Sequence, residues 1–206
     1  MIPPWLDWAR RMQAIAQNGL TFAQDPFDRE RYEQLRQLAA EVLAAGATLD
    51  TGTALELFTA ESGYATPKVD VRGVVFRDDA LLMVQEKSDG RWSLPGGWAD
   101  VSSSPAENVT REIFEETGFG TRAVKLLAFY DREKHPHAPP YVQHVYKVFV
   151  RCEIVGGEIA TSHETTAVGF FGEHALPELS LARVTPSQIA RCFEHLRQPG
   201  LPTDFD

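Results

Sequence analysis

The sequence predicts an α/β protein, a mixed sheet with helices around it, preceded by a small all-helical domain. Three observations predict this. Apolar residues recur at helical spacing through residues 1–65, with no strand pattern before residue 68. From Val69 onward, strand-length apolar runs separated by turn residues take over. One well-capped acidic helix then interrupts those strands near residue 104. The expected division is therefore 1–65 and 66–206.

Residues 4–18 form the first predicted helix, with Trp5, Trp8, Ala9, Met12, Ile15 and Ala16 on its apolar side. Residues 27–45 form the second, through Phe27, Tyr32, Leu35, Leu38, Ala39 and Leu43. A third, shorter helix is expected from Thr51 to about Gly63. Residues 69–76 and 80–85 read as a hairpin around Arg77-Asp78-Asp79, and 92–94 as a short strand entering a Pro-Gly-Gly turn. After the acidic helix come strands at 123–131 and 141–154, joined by a His/Pro-rich loop at 134–140. A strand at 168–171 and a helix at 186–196 complete the order.

The chain has 206 residues, 43% hydrophobic and 24% charged, as ordinary globular proteins are. Its formal net charge of −9 argues against a broad basic surface for nucleic acid, but not against a nucleotide substrate whose charge a cation offsets. Cys152 and Cys192 lie in no metal-type spacing, so a reducing, cytoplasmic setting is expected. The start Met-Ile-Pro-Pro-Trp shows no signal-peptide pattern, and no apolar run approaches the roughly 20 residues that span a bilayer.

The chemistry lies in residues 97–119. Ser104-Pro105-Ala106-Glu107 is a capping box with proline at the first helical position, and Gly118 suits the end. Glu112, Glu115 and Glu116 share one face of this helix, beside an apolar stripe of Ala106, Val109 and Ile113. Clustered carboxylates repel, and a hard cation relieves that repulsion; Mg²⁺ and Mn²⁺ take carboxylates, waters and phosphate oxygens. Glu-Glu on a helix is usually just a solvated face. Here Leu94-Pro95-Gly96-Gly97-Trp98 precedes it, a sharp turn whose backbone can come close to an ion and offer a carbonyl.

This segment resembles the Nudix box, Gly-x5-Glu-x7-Arg-Glu-U-x-Glu-Glu-x-Gly-U, where U is a bulky aliphatic residue. Gly97, Arg111, Glu112, Ile113, Glu115, Glu116 and Gly118 fall on the pattern, with Phe119 at the last position. The resemblance implies a Nudix α/β/α sandwich and metal-dependent hydrolysis of a nucleoside diphosphate linked to another group. It implies Glu112, Glu115 and Glu116 as metal ligands with the Gly97 carbonyl, and Arg111 as an orienting group. The chain departs at position 103, where Ser103 replaces a box glutamate that orients the arginine. Glu107 is the expected stand-in, through a row Glu107-Arg111-Glu115.

The N-terminal helices resemble those of bacterial hydrolases of X-linked nucleoside diphosphates, associated with ADP-ribose or CDP-choline. The matching residues are Trp8-Ala9-x-x-Met12-x-Ala14-Ile15-Ala16-x-x-Gly19-Leu20-Thr21 and Asp28-x-Glu30-Arg31-Tyr32-x-x-Leu35. The plain reading of these helices is a structural lid or a dimerisation element without chemistry, and a homodimer is the expected assembly. Glu164, in a late loop, is a second candidate for general base or metal ligand beside the box glutamates. Arg72 and Lys87 are candidate phosphate contacts, and Trp98 and Tyr141 candidate base-stacking groups. His135, His137 and His144 read more simply as bystanders or core groups. Two other functions stand beside the leading one. A MutT-like triphosphate pyrophosphohydrolase is disfavoured by the helical domain. A non-catalytic ligand sensor is disfavoured by the intact acids and kept open by Ser103.

Overall fold

The computed structural model describes residues 2–206. The chain forms two compact units, one running to Pro67 and taking in Tyr141–His144, the other comprising Lys68–Pro140 and Val145–Asp206.

The first unit is three helices, α1 (Pro4–Phe22), α2 (Pro26–Ala47) and α3 (Thr51–Thr59). Asp25 caps α2 and Asp50 caps α3, each accepting from backbone N–H groups of the first turn. Their core is small-residue rich, with Leu6, Ala9, Ala39, Ala40, Leu43, Ala44, Ala54 and Phe58 buried together. Arg10 reaches the segment 141–144, donating to the carbonyls of Tyr141, Val142 (2.8 Å) and Gln143 (3.0 Å). This corrects the expected strand 141–154. Those carbonyls are occupied by a side chain rather than a ladder, so pairing begins only at Val145.

The second unit holds a mixed sheet of β1 (Lys68–Arg77), β2 (Ala80–Glu86), β3 (Trp92–Ser93), β4 (Phe119–Asp131), β5 (Val145–Gly157), β6 (Thr165–Phe171) and β7 (Asp204–Phe205). The order is β3-β2-β1-β5-β4-β7, with β6 paired to β2. β1 and β5 run parallel, as do β4 and β7; the other pairs are antiparallel. The helix α4 (Pro105–Thr117) covers one face, where Val109 and Ile113 pack with Val71, Val75 and Val148. The helix α5 (Pro186–Arg197) covers the other, where Ile189, Cys192 and Phe193 pack with Val74, Leu81 and Phe149. This is the α/β/α sandwich. Gly73 sets the spacing of α4, since a Cβ there would lie 2.5 Å from Ile113 Cδ1. Among the described residues, no helix is long and apolar enough to cross a membrane.

Candidate active site

The site is built where α4 meets the turn after β3. Ser104 and Glu107 form the expected capping box, and Gly118 ends the helix at φ 78°. Val109 and Ile113 are fully buried and fix the rotation of α4. That rotation turns Glu116 inward, leaves Glu112 mostly buried and exposes Glu115.

Pro95, Gly96 and Gly97 are stitched to β1. Gly73 N donates to Pro95 O (2.8 Å), Val71 N to Gly97 O (2.8 Å) and Ala99 N to Val69 O (2.9 Å). Gly96 has φ 139°, and a Cβ there would sit 2.0 Å from Val71 O, so only glycine fits. Its N–H donates to Glu116 Oε2 at 2.9 Å. At Gly97 a Cβ would lie 2.9 Å from Glu112 Oε2, so the bare backbone leaves room for that carboxylate. The turn thus receives two of the three box acids.

Arg111 is held differently from expectation. Its Nη1 donates to Asp100 Oδ2 (2.5 Å), and its Nη2 to Asn108 Oδ1 (3.0 Å) and Glu112 Oε1 (3.2 Å). Glu107 is not the partner. Its carboxylate is committed to Ser104 N (2.7 Å) as the reciprocal half of the capping box. Asn108 is buried and anchors the loop, donating to the carbonyls of Asp100, Ser103 and Ser104 while accepting from Asp100 N.

Arg72, a candidate phosphate contact, is 4% exposed. It forks onto Asp70 through Nε (2.9 Å) and Nη2 (2.7 Å) and donates to Leu94 O (3.0 Å). Lys147, the cross-strand partner of Asp70, donates to the same carboxylate at 2.7 Å. Burial opposes ionisation of Asp70, but the two cations outweigh it and hold its pKa near about 2. Burial likewise lowers Lys147 to about 8, against the pull of Asp70. Arg72 also acts on Glu116 and Glu86. Glu86 is itself buried, accepting from Ser93 Oγ (2.6 Å) and paired with Arg183 (2.9 Å).

Burial dominates the two inward acids. It pushes Glu116 up to about 8, with Arg72 and the Gly96 N–H pulling down and Glu86 and Glu112 adding repulsion. It also raises Glu112, whose neighbours Glu115 and Glu164 add negative charge against Arg111 and Arg72. Glu164 is therefore within electrostatic reach of the box. Lys87, an exposed candidate phosphate contact, donates its ammonium to His163 O (2.8 Å) and its backbone N–H to Glu164 O (2.9 Å). That pair of bonds ties down the loop carrying Glu164. Trp98 is half-exposed beside Gly97 and bridged to Asp70. Tyr141 belongs to the first unit, as does His144, which lies outside any strand. His137 bonds Leu181 O and the Gln188 amide, and its ring packs into loop and helix. His135 lies against the Tyr130 ring, centroids 4.3 Å apart.

Among the described residues, no three acids, histidines or cysteines converge as a ready-made metal cage. The reason is local: Glu116 is drawn to Gly96, Glu112 to Arg111, and Glu115 to solvent. The donor set still suits a hard cation. Two carboxylates with raised pKa, Glu116 buried and Glu112 partly so, stand beside a carbonyl turn and lack cationic groups enough to offset them.

Comparison with known proteins decides the family. The NUDIX domain profile matches residues 66–192. The chain belongs to the Nudix family. The profile of the UDP-X-like N-terminal oligomerisation domain matches residues 3–58 of this Nudix hydrolase. The chain is 48% identical to a putative ADP-ribose pyrophosphatase of Bacillus subtilis (strain 168), over 98% of this chain and 97% of that one. Its structure resembles a UDP-X diphosphatase at TM-score 0.64 and 36% identity, covering 98% of both chains. It also resembles an ADP-ribose pyrophosphatase from Streptococcus suis 89-1591 at TM-score 0.63 and 43% identity, over 68% of this chain and all of that one.

Sequence reasoning missed Asp70, Lys147, Asp100 and Asn108. Asp70-x-Arg72 carried a signal, two opposite charges on one side of an otherwise apolar strand. Lys147 carried none, since only the parallel register brings it opposite Asp70.

Proposed function

We propose that this Nudix hydrolase cleaves the pyrophosphate bond of a nucleoside diphosphate linked to another group, with ADP-ribose the first substrate to test and CDP-choline the second. The observation that carries this is the pair of carboxylates, Glu112 and Glu116, seated on the Gly96–Gly97 backbone and raised in pKa by desolvation. The names of its full-length relatives support the substrate class.

Glu112, Glu115, Glu116 and the Gly97 carbonyl would hold the divalent cation, Mg²⁺ or Mn²⁺. Such a cation offsets phosphoryl charge and makes bound water more acidic. Arg111 orients Glu112. Arg72, pinned by Asp70 and the Leu94 carbonyl, supplies fixed positive charge behind Glu116. The proton of the attacking water goes to a box glutamate or to Glu164, which the Lys87 contacts hold near the box. Trp98 offers an exposed ring beside the turn for a nucleobase. Two copies associate through the N-terminal helices; Trp8, Ile15 and Phe22, one heptad apart on α1 and exposed, support that face.

The test is turnover of ADP-ribose, CDP-choline, sugar nucleotides and 8-oxo-dGTP with Mg²⁺ or Mn²⁺. Glu116→Gln should lower kcat by at least about 100-fold, in line with loss of a group stabilising the reacting charge. Glu164→Gln separates the two bases, a large fall assigning the proton to Glu164 and an unchanged rate assigning it to the box. Absence of cleavage by the wild-type protein, with tight binding of one ligand, would overturn the enzyme reading in favour of a sensor.

A further inference from the structure

We propose that Asp100 replaces the missing box glutamate in this chain and is the positioning residue that, through Arg111, holds Glu112 at Gly97. The inference rests on the reading of the box as the active site. Position 103 is serine here, so the usual carboxylate for the arginine is absent. Asp100 supplies one from three residues earlier, with its Oδ2 accepting from Arg111 Nη1 at 2.5 Å. The other end of the guanidinium donates to Asn108 Oδ1 and Glu112 Oε1. Asp100 and Glu112 thus grip the two ends of one rigid, planar group. Glu112 in turn lies against the bare backbone of Gly97.

The loop is built to present Asp100. Its backbone N–H and carbonyl are both tied to the buried Asn108 amide, at 2.9 and 3.3 Å. The carboxylate is therefore aimed from a fixed backbone rather than from a free loop. The same Asn108 amide also bonds Ser103 O at 3.1 Å and accepts from Arg111 at 3.0 Å, so the vacated box position and the arginine share one anchor. A glutamate placed there would approach the same guanidinium. As the Asp100–Arg111 pair is largely exposed, it adds little to stability. Its effect falls on where Glu112 points.

The test uses the full-length protein and reads kcat, KM, Mn²⁺ binding without substrate, and thermal unfolding. Asp100→Ala should lower kcat about 10- to 100-fold, the usual cost of losing a group that orients a metal ligand. KM should stay within about twofold, because ground-state binding is not involved. Mn²⁺ binding should weaken about tenfold, with Tm within about 2 °C of wild type. Ser103→Glu alone should change little, and Asp100→Ala with Ser103→Glu should recover most of the lost kcat and Mn²⁺ affinity. If the alanine variant does not fold, Asp100→Asn carries the same rescue. Unchanged kcat and Mn²⁺ binding in Asp100→Ala, a loss that Ser103→Glu does not restore, or a large gain from Ser103→Glu alone would each overturn the proposal. If the wild type cleaves none of the panel, the proposed function fails instead, and the Mn²⁺ measurement still decides the role of Asp100.

Discussion

At the residue scale, Asp70 is the most consequential side chain outside the box. It is buried and answers two buried cations, Arg72 and Lys147, at once. Removing one member of such a group strands the others without water. Asp70→Ala should therefore destabilise the protein by about 3–5 kcal/mol, measured by urea unfolding near neutral pH. Asp70→Asn keeps the shape and some hydrogen bonding, so it should cost less. A loss under 1 kcal/mol for the alanine variant, within the range of an ordinary surface pair, would mean that Arg72 and Lys147 find other partners. The same residue shows that a charge in a strand can have its partner on that strand. The partner of Arg72 is two residues away, on the same side.

At the scale of elements, α4 depends on its first turn. Ser104→Ala removes the acceptor for Glu107 N and should cost about 1 kcal/mol, seen as a Tm drop of about 2–4 °C. Glu107→Ala should act similarly and leave kcat nearly unchanged, because Glu107 belongs to the cap and not to Arg111. A kcat loss in Glu107→Ala beyond its stability cost would restore the Glu107–Arg111 row. These elements also mark what could be read from sequence. The helix and its caps were legible because capping residues, proline and glycine act within a few positions. So were the hairpin strands, whose apolar runs end at turn residues. The partners of Arg111 were not, because the loop 100–104 folds back on Asn108 through bonds no periodicity encodes. Nor was β7, two residues paired parallel with β4, too short to carry a pattern. The start of β5 was misread because Tyr141 and Val142 look like strand residues yet serve the helical unit.

At the scale of the whole molecule, one carboxylate ties the last strand to two other elements. Asp204 on β7 accepts from Arg191 (2.6 and 2.7 Å) and Tyr130 (3.1 Å) and lies 3.2 Å from His195, joining α5, β4 and the chain end. The Arg191 bonds, against some burial, lower its pKa from 3.8 to about 2. A depressed carboxylate stabilises the fold above its unfolded pKa, and the contribution fades as pH falls toward the folded one. The wild type should therefore lose on the order of 2 kcal/mol between about pH 5 and pH 2 from this group. Asp204→Asn should be less stable at neutral pH and show a shallower acid slope in urea titrations. Parallel slopes for the two proteins would exclude Asp204 as the acid-sensitive fastening.

The borrowed segment Tyr141–His144 has a consequence in time. The three helices leave the ribosome before the strands, but the peptide whose carbonyls receive Arg10 is translated only after the first four strands of the second unit. At ~5–20 residues per second, that is a delay of several seconds. During it, the helical unit exists without its last piece and Arg10 lacks these carbonyl acceptors. Nascent chains stalled before residue 141 should accordingly carry helices that proteases cut more readily than those of the finished protein.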